Sequence, residues 1–292
     1  MDIVFNINNL ALEGLGATLV SLVKNCSDSK ELKIWFLCSG LNRVDKKNIT
    51  HLLADTGFKG SKEFIDFDAE KIFGHLNSLH GDWTAYGRLL IADYIKSDQV
   101  LYLDADLLIY LDILTLNNID LDGVYFAAES GSTVEWALEG LFFINKLNWP
   151  KDRRYFNSGV MLFNLKKWRA DNLDEKWKSI AKTYPDELVS HDQTLLNAIG
   201  DGNFIRLASN FNSAWFAKSE KPADANYAII HFVGSPKPWD LFGKKIHKGY
   251  SSWKKYHTHF WEKNYGKISA KKFKRTWKIR RSIIKQLIGG IK

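Results

Sequence analysis

The sequence predicts an α/β protein built on a mainly parallel central sheet. Across residues 1–66, short apolar runs alternate with segments that carry apolar residues at helical spacing, the order that βαβ units require. Val100-Leu-Tyr-Leu103 is an unbroken apolar run, and a strand without polar alternation is buried on both faces. The 292 residues are 45% hydrophobic and 14% aromatic, which excludes disorder and supplies a core for one large domain or a domain plus an appendage.

Taken in order, Ile3-Val-Phe5 reads as a short buried strand and Asn6-Ile7-Asn8-Asn9 as the loop at its end. Leu15, Leu19, Leu22 and Val23 share one helical face over Leu15 to Val23. Lys33 to Cys38 is the second strand, broken by Ser39-Gly40; Lys46 to Leu53 is helical and Glu63 to Asp66 is the third strand. This is a nucleotide-binding type of layout without G-x-G-x-x-G or a Walker sequence.

Thr84 to Ile95 reads as a helix that leads into the aspartate strand, with Leu89, Ala92 and Ile95 on one face and Arg88 at its margin. Taken alone, Arg88 reads as a surface ion pair. The stretch Val100 to Ile109 reads as one strand that runs into Asp104 and Asp106, at the end where a doubly covered sheet opens to ligands. Two residues apart in extended chain, the carboxylates face the same side, and hard oxygen ligands suit Mg²⁺ or Mn²⁺, with a capped loop after a strand as the equal alternative for the pair alone. The same spacing in Asp66-Phe-Asp68 and Asp120-Leu-Asp122 follows no such run and reads as solvated loop.

Gly123 to Glu129 is a further buried strand, and Ser130 to Pro150 is aromatic and irregular, a lid or an acceptor wall. Tyr155 to Trp168 reads as a polar turn, a strand and the start of a helix. His191-Asp192-Gln193 precedes a short helix over Thr194 to Ile199, with Asp192 as a plain N-cap on the bland reading. Ala228 to Gly234 is a buried strand with His231 near its end, alone more often a satisfied core residue than a ligand. Ser235-Pro236-Lys237-Pro238-Trp239 is a stiff loop that displays one lysine.

Joined together, Thr84-x-Tyr86-x-Arg88, Val100-Leu-Tyr-Leu-Asp104-x-Asp106, Phe156-Asn157-Ser-Gly159-Val-x-x-x-Asn164-Leu-Lys-Lys-Trp168, Asp192-Gln193 and His231-x-x-Gly234-x-x-Lys237-Pro238-Trp239 resemble glycosyltransferase family 8, in particular the bacterial lipopolysaccharide α-galactosyltransferases. The pieces occur in family order and cover residues 1 to about 240. The resemblance implies a GT-A type single-domain nucleotide-binding fold and a metal-dependent, retaining transfer of galactose or glucose from a UDP-hexose. The acceptor would be a saccharide of a cell-surface glycolipid or glycoprotein. It implies Mn²⁺ or Mg²⁺ on Asp104, Asp106 and His231, which withdraws the core reading of the histidine. By the same resemblance Ile7, Asn8, Asp104, Ala105, Gly234 and Lys237 hold the nucleotide. Arg88, Asp104, Asn157, Asp192 and Gln193 meet the donor sugar, with Arg88, Asp192 and Gln193 at the catalytic centre, and Glu129 falls on the acceptor side.

The first loop departs from the pattern, since relatives usually carry Asp-x-Asn-Tyr where this chain has Asn8-Asn9-Leu10-Ala11. Asn8 can still accept the uracil N–H, but Ala11 cannot stack on the base. Gln193 is a poor nucleophile, which favours same-face attack over a covalent sugar–enzyme intermediate. Two rivals are weighed: a phosphatase using Asp-x-Asp-x-Thr/Val, against which Leu108 stands, and a catalytically decayed sugar-binding adaptor.

The net charge of +8 is uneven, because residues 263–292 hold eleven Lys/Arg and no Asp/Glu and leave −3 on the preceding body. The organisation expected is therefore a GT-A domain over 1–262 and a basic amphipathic helical tail over 263–292. On a helical wheel Phe273, Trp277, Ile284, Leu287, Ile288 and Ile291 form an apolar stripe that suits an anionic membrane surface, into which Arg280 intrudes. The plainer alternative is a charge run that is disordered or packs back on the domain. An acidic body without a reading motif argues against nucleic acid. Two cysteines, no signal-peptide pattern and no apolar run near the roughly 18 residues of a membrane span point to a cytoplasmic protein, peripheral at the inner face of the membrane.

Overall fold

The computed structural model describes residues 1–78 and 81–288. The expected alternation is present as β1 (Asp2–Asn8), α1 (Leu12–Asn25), β2 (Lys33–Ser39), α2 (Arg43–Asp55) and β3 (Ser61–Asp66). β1 takes in Asn6 to Asn8, expected as loop, because β2 runs beside it as far as the pair Asn8 and Ser39 and supplies backbone partners. α2 starts earlier than its apolar spacing suggests. A capping box sets that start: Asn42 accepts from Val44 and Asp45, and the Asp45 carboxylate accepts from the Asn42 amide.

The aspartate stretch is not one strand. β4 (Gln99–Leu103) stops at the acids, and β5 (Leu107–Ile109) leaves for a different sheet. The remaining strands are β6 (Phe126–Glu129), β7 (Ser132–Thr133), β8 (Arg154–Tyr155), β9 (Val160–Asn164), β10 (Ile205–Leu207), β11 (Ser213–Ala214) and β12 (Ile229–His231). The main sheet runs β10-β6-β9-β4-β1-β2-β3, and among the described residues β9 alone lies antiparallel to its neighbours. β1, β2, β4, β6 and β10 therefore all finish at one edge, where β9 begins.

Both faces of this sheet are covered, as the unalternating strands require. Ile3, Phe5, Ile34 and Leu103 pack with α1 and the smaller sheet β11-β12-β5, while Val4, Tyr102, Met161 and Phe163 pack with the helices on the other side. Thr84 to Leu90 is a 3₁₀-helix that becomes α-helical only over Ile91–Tyr94. The buried Asn6 amide donates to the carbonyls of Thr84 and Ala85, which an α-helix would have used itself. Residues 130–150 are less irregular than expected: β7 pairs with β8, and the helix Gly140–Asn145 packs Phe142 and Phe143 with Trp149 and Tyr155.

The tail folds as two helices, Ala270–Lys278 and Arg280–Ile288. Ile279 and Ile283 turn inward against Ala217 and Ile246, and Lys272 and Arg275 pair with Glu13 and Asp240. Phe273, Trp277, Ile284 and Leu287 point outward and are exposed. The Arg280 guanidinium carbon lies over the Trp277 ring, 4.4 Å from its centroid. Ile291 and the side chain of Ile288 lie outside the described residues. Among the described residues no helix is long and apolar enough to cross a membrane.

Candidate active site

The site forms where the parallel strands end. β9 approaches β4 there, with Leu103 opposite Val160 and the Asp104 amide donating to the Gly159 carbonyl at 2.8 Å. Below the turn the buried Thr18 hydroxyl lies 3.0 Å from the Ala105 carbonyl and 2.9 Å from that of Leu107, and accepts the Leu107 amide. Ala105 thus serves through its backbone. β5 then pairs with β12 so that His231 stands opposite Leu107, beside Asp106.

That register brings one ligand atom each from Asp104, Asp106 and His231 within 4.8 Å of one another. His231 is buried, and its Nε2 faces the acids, 3.3 Å from Asp106 Oδ1 and 3.8 Å from Asp104 Oδ2. Its Nδ1 lies 3.0 Å from Asn212 Oδ1, while Asn212 Nδ2 donates to Asn157 Oδ1. With the Asn212 oxygen turned to the ring, Nδ1 carries the proton and the Nε2 lone pair faces the acids, the tautomer a metal ligand needs. Asp106 Oδ1 is buried without a hydrogen-bond donor. Oxygen and imidazole donors of this kind, with one acceptor oxygen unsatisfied, fit a divalent cation.

Gly159 is required by this geometry, since a Cβ there would stand 2.4 Å from His231 Cε1 and 2.9 Å from Asp104 Oδ2. Gly234, at φ +76°, carries the chain out of β12 and into the lysine loop. Lys237 Nζ pairs with Asp106 Oδ2 at 2.7 Å and contacts the Phe232 carbonyl. Burial acts to raise the Asp106 carboxyl, but the Lys237 ammonium, joined by the His231 ring in its protonated form, outweighs it and holds the group well below the usual carboxylate range.

Arg88 corrects the surface reading that its place on the helix suggests. Its side chain is 7% exposed and sits 4.3 Å from the Tyr102 ring centroid. Nη1 donates to the carbonyl and hydroxyl of Ser158, Nη2 to Asp104 Oδ1 at 3.0 Å, and Nε lies 2.8 Å from Asp192 Oδ2. Asp192 is not a cap: it is the first residue of the helix Asp192–Gly200, and His191 occupies the N-cap at φ 56°. Burial raises the Asp192 carboxyl to about 7 against the pull of Arg88, and the Asp104 charge adds to the rise.

Gln193 lies next to this pair and is held at both ends. Its Oε1 accepts from Asn157 Nδ2 and the Ser158 amide, and its Nε2 donates to the Tyr155 hydroxyl at 2.8 Å. Tyr155 in turn donates to Glu139, a buried carboxylate that also accepts from Ser190 and Thr194. Glu139, Asn212 and Tyr102 were missed in the sequence. Glu139 sits in an irregular aromatic segment, Asn212 in a stretch without a pattern, and Tyr102 looks like any other residue of the apolar strand. Glu129 ends β6 on the same sheet edge, half-buried, with its carboxyl raised first by burial.

At the end of β1 the structure differs from the expectation for Asn8. Its Oδ1 accepts from the Leu10 and Ala11 amides, and its Nδ2 donates to Asp82 Oδ2 at 2.5 Å and to Thr84. Both acceptor positions of the Asn8 oxygen are thus taken by its own loop, and Asp82 is the carboxylate in this corner. The Ile7 side chain is wholly in the core, which leaves its main chain for any ligand. The other two Asp-x-Asp pairs are structural: Asp66 pairs with Lys46, Asp68 caps the helix Ala69–Phe73, and Asp120 accepts from the Asp122 amide.

The fold superposes on the galactosyltransferase LgtC, solved in complex with donor and acceptor sugar analogs, with a TM-score of 0.73, 25% identity, and 93% of this chain and 98% of that one covered. Sheet, acid turn and histidine strand together define a glycosyltransferase of the GT-A fold. The chain belongs to glycosyl transferase family 8, whose model matches residues 2–242. Membership sets aside the phosphatase reading. General stress protein A of Bacillus subtilis is 29% identical over 266 residues, 84% of this chain and 90% of that protein. The lipopolysaccharide 1,3-galactosyltransferase of Salmonella typhimurium is 30% identical over 198 residues, 60% of this chain and 55% of that one.

Proposed function

We propose that this chain is a metal-dependent, retaining hexosyltransferase that moves galactose or glucose from a UDP-sugar onto a saccharide of a cell-surface glycolipid, forming an α-linkage. The observation that carries the reading is the convergence of Asp104, Asp106 and His231 around an acceptor oxygen with no donor. These three would hold Mn²⁺ or Mg²⁺, which supplies Lewis-acid neutralisation of a leaving diphosphate. Lys237 adds a positive charge beside the same acids, and Gly234 lets its backbone come close to a phosphate.

Arg88, Asn157, Asp192 and Gln193 form the wall against which a donor hexose would lie. Gln193 is held at both ends and the Asp192 carboxylate is drawn into the Arg88 pair. Neither is free to attack an anomeric carbon, which favours same-face attack by the acceptor, its proton passing to the departing phosphate oxygen. Asp82 and the main chain of Ile7 are assigned to the base, and Glu129 to the acceptor side. The galactosyl- and glucosyltransferases of lipopolysaccharide among the relatives support both hexose and glycolipid. The outward stripe of residues 263–292 is assigned to an anionic membrane surface, where a lipid-linked acceptor would be met, with the protein peripheral on its cytoplasmic side.

Hydrolysis of a panel of nucleotide sugars, measured with Mn²⁺ and with chelator, tests this. Release of UDP that requires the metal is expected. Absence of UDP release across the panel, or phosphate release from monoesters instead, would overturn it.

A further inference from the structure

We propose that Arg275 and Asp240 are positioning residues for the loop that carries Lys237, so that the C-terminal helix sets how firmly the site holds a nucleotide diphosphate. The second half of this statement rests on the reading of Lys237 as a pyrophosphate contact. The first half rests on geometry alone.

Arg275 grips the Asp240 carboxylate at two points, Nε to Oδ1 at 2.5 Å and Nη2 to Oδ2 at 3.1 Å. Asp240 Oδ2 accepts the Lys237 amide at 2.7 Å, and the Asp240 amide donates back to the Lys237 carbonyl at 3.1 Å. The Asp240 side chain is 3% exposed, and Arg275 is the cation paired with it there. One turn earlier, Lys272 reaches the Trp239 carbonyl at 3.3 Å and Glu13 of α1 at 2.6 Å. Two basic residues of one helix thus hold the loop at adjacent residues, Trp239 and Asp240. At its tip Lys237 meets Asp106 at 2.7 Å, which completes a chain of contacts from tail helix to acid cluster. A tail that served only as an anchor would have no need of these inward contacts.

The test uses the full chain. In R275A, the Lys237 amide should exchange its hydrogen faster than in the wild type, and the affinity for UDP with Mn²⁺, read by calorimetry, should fall on the order of five- to twentyfold. K274A, on the exposed side of the same helix, should leave both values unchanged. Unchanged amide exchange in R275A overturns the inference whatever the nucleotide does. Faster exchange in R275A with unaltered UDP affinity also overturns the claim that the helix sets the hold on the nucleotide. If the wild type ignores UDP while exchange at Lys237 accelerates, the bracing stands and the donor reading is what fails. Should R275A not fold, R275K carries the same measurement, because it keeps a charge beside the buried carboxylate and loses the two-point grip.

Discussion

Arg88 Nε stands 2.8 Å from Asp192 Oδ2, with the two side chains 7% and 5% exposed. The pair joins the 3₁₀-helix before the acid turn to the helix that presents Gln193, across more than a hundred residues of chain. Breaking a buried pair by removing one partner costs about 3–5 kcal/mol, because the remaining charge has no water to turn to. R88M should therefore lower the melting temperature strongly and abolish sugar transfer. R88M/D192N should recover part of the stability and none of the activity, which thermal denaturation and a donor-hydrolysis assay would separate.

Asn212 fixes the His231 ring without touching the acid cluster itself. Partners of a metal-bound histidine typically contribute ten- to a hundredfold, roughly, in metal affinity. N212A is expected to weaken Mn²⁺ binding within that range, and D106N to remove it. Calorimetric titration of Mn²⁺ checks both, and an N212A affinity equal to wild type would refute the positioning role.

Gly159 approaches His231 and Asp104 too closely for any side chain. In G159A the methyl group must displace a histidine carbon or a carboxylate oxygen, an overpacking cost of about 1–3 kcal/mol. The protein should fold with a lowered melting temperature and fail to bind Mn²⁺. Retained metal affinity in folded G159A would show that the three ligands are not held as described.

Burial raises the Glu13 carboxyl from 4.5 to about 7, outweighing the Lys272 ammonium beside it. Between those values the folded protein keeps a proton that the unfolded chain has released, so stability falls as pH rises through the window, by up to ~1.4 kcal/mol per pH unit. E13Q has no such proton to keep. Its melting temperature should decline less than that of the wild type between pH 4.5 and 7, and equal slopes would contradict the burial argument.

The outward residues of the tail predict a surface effect separable from the bracing of the loop. F273S/W277S removes two exposed aromatic side chains and leaves Lys272 and Arg275 in place. Flotation with vesicles containing anionic lipid should be lost, while UDP release in solution persists. Flotation undiminished in this variant would exclude the stripe as the membrane contact.

How far the fold could be read ahead depended on range. Leu15, Leu19 and Leu22 announce α1, and the unalternating Val100 to Leu103 announces a strand covered on both faces, because those patterns answer to neighbours a few residues away. Boundaries slipped where a side chain decided them, as with the Asn42 capping box and the Asn6 amide against Thr84 and Ala85. The acid strand was divided for a similar reason: Thr18 of α1 holds the turn, and β12 draws Leu107 to Ile109 away from the main sheet.

The joint order of the motifs pointed to the convergence of Asp104, Asp106 and His231 that the structure shows, but the residues that hold this corner in place belong to no motif. Glu139 behind Tyr155, Asn212 behind His231, and Asp82 beside Asn8 belong to no repeating pattern. Hydrophobic spacing in the chain by itself determined α1 and the buried strands β1, β2, β4, β6, β9 and β12, since burial of a periodic or unbroken apolar face is a local demand. Only the tertiary structure decided that Arg88 is interior and that His231 stands beside Asp106. It also decided that a tail helix braces the Lys237 loop, because a buried charge or a strand register takes its partner from across the chain.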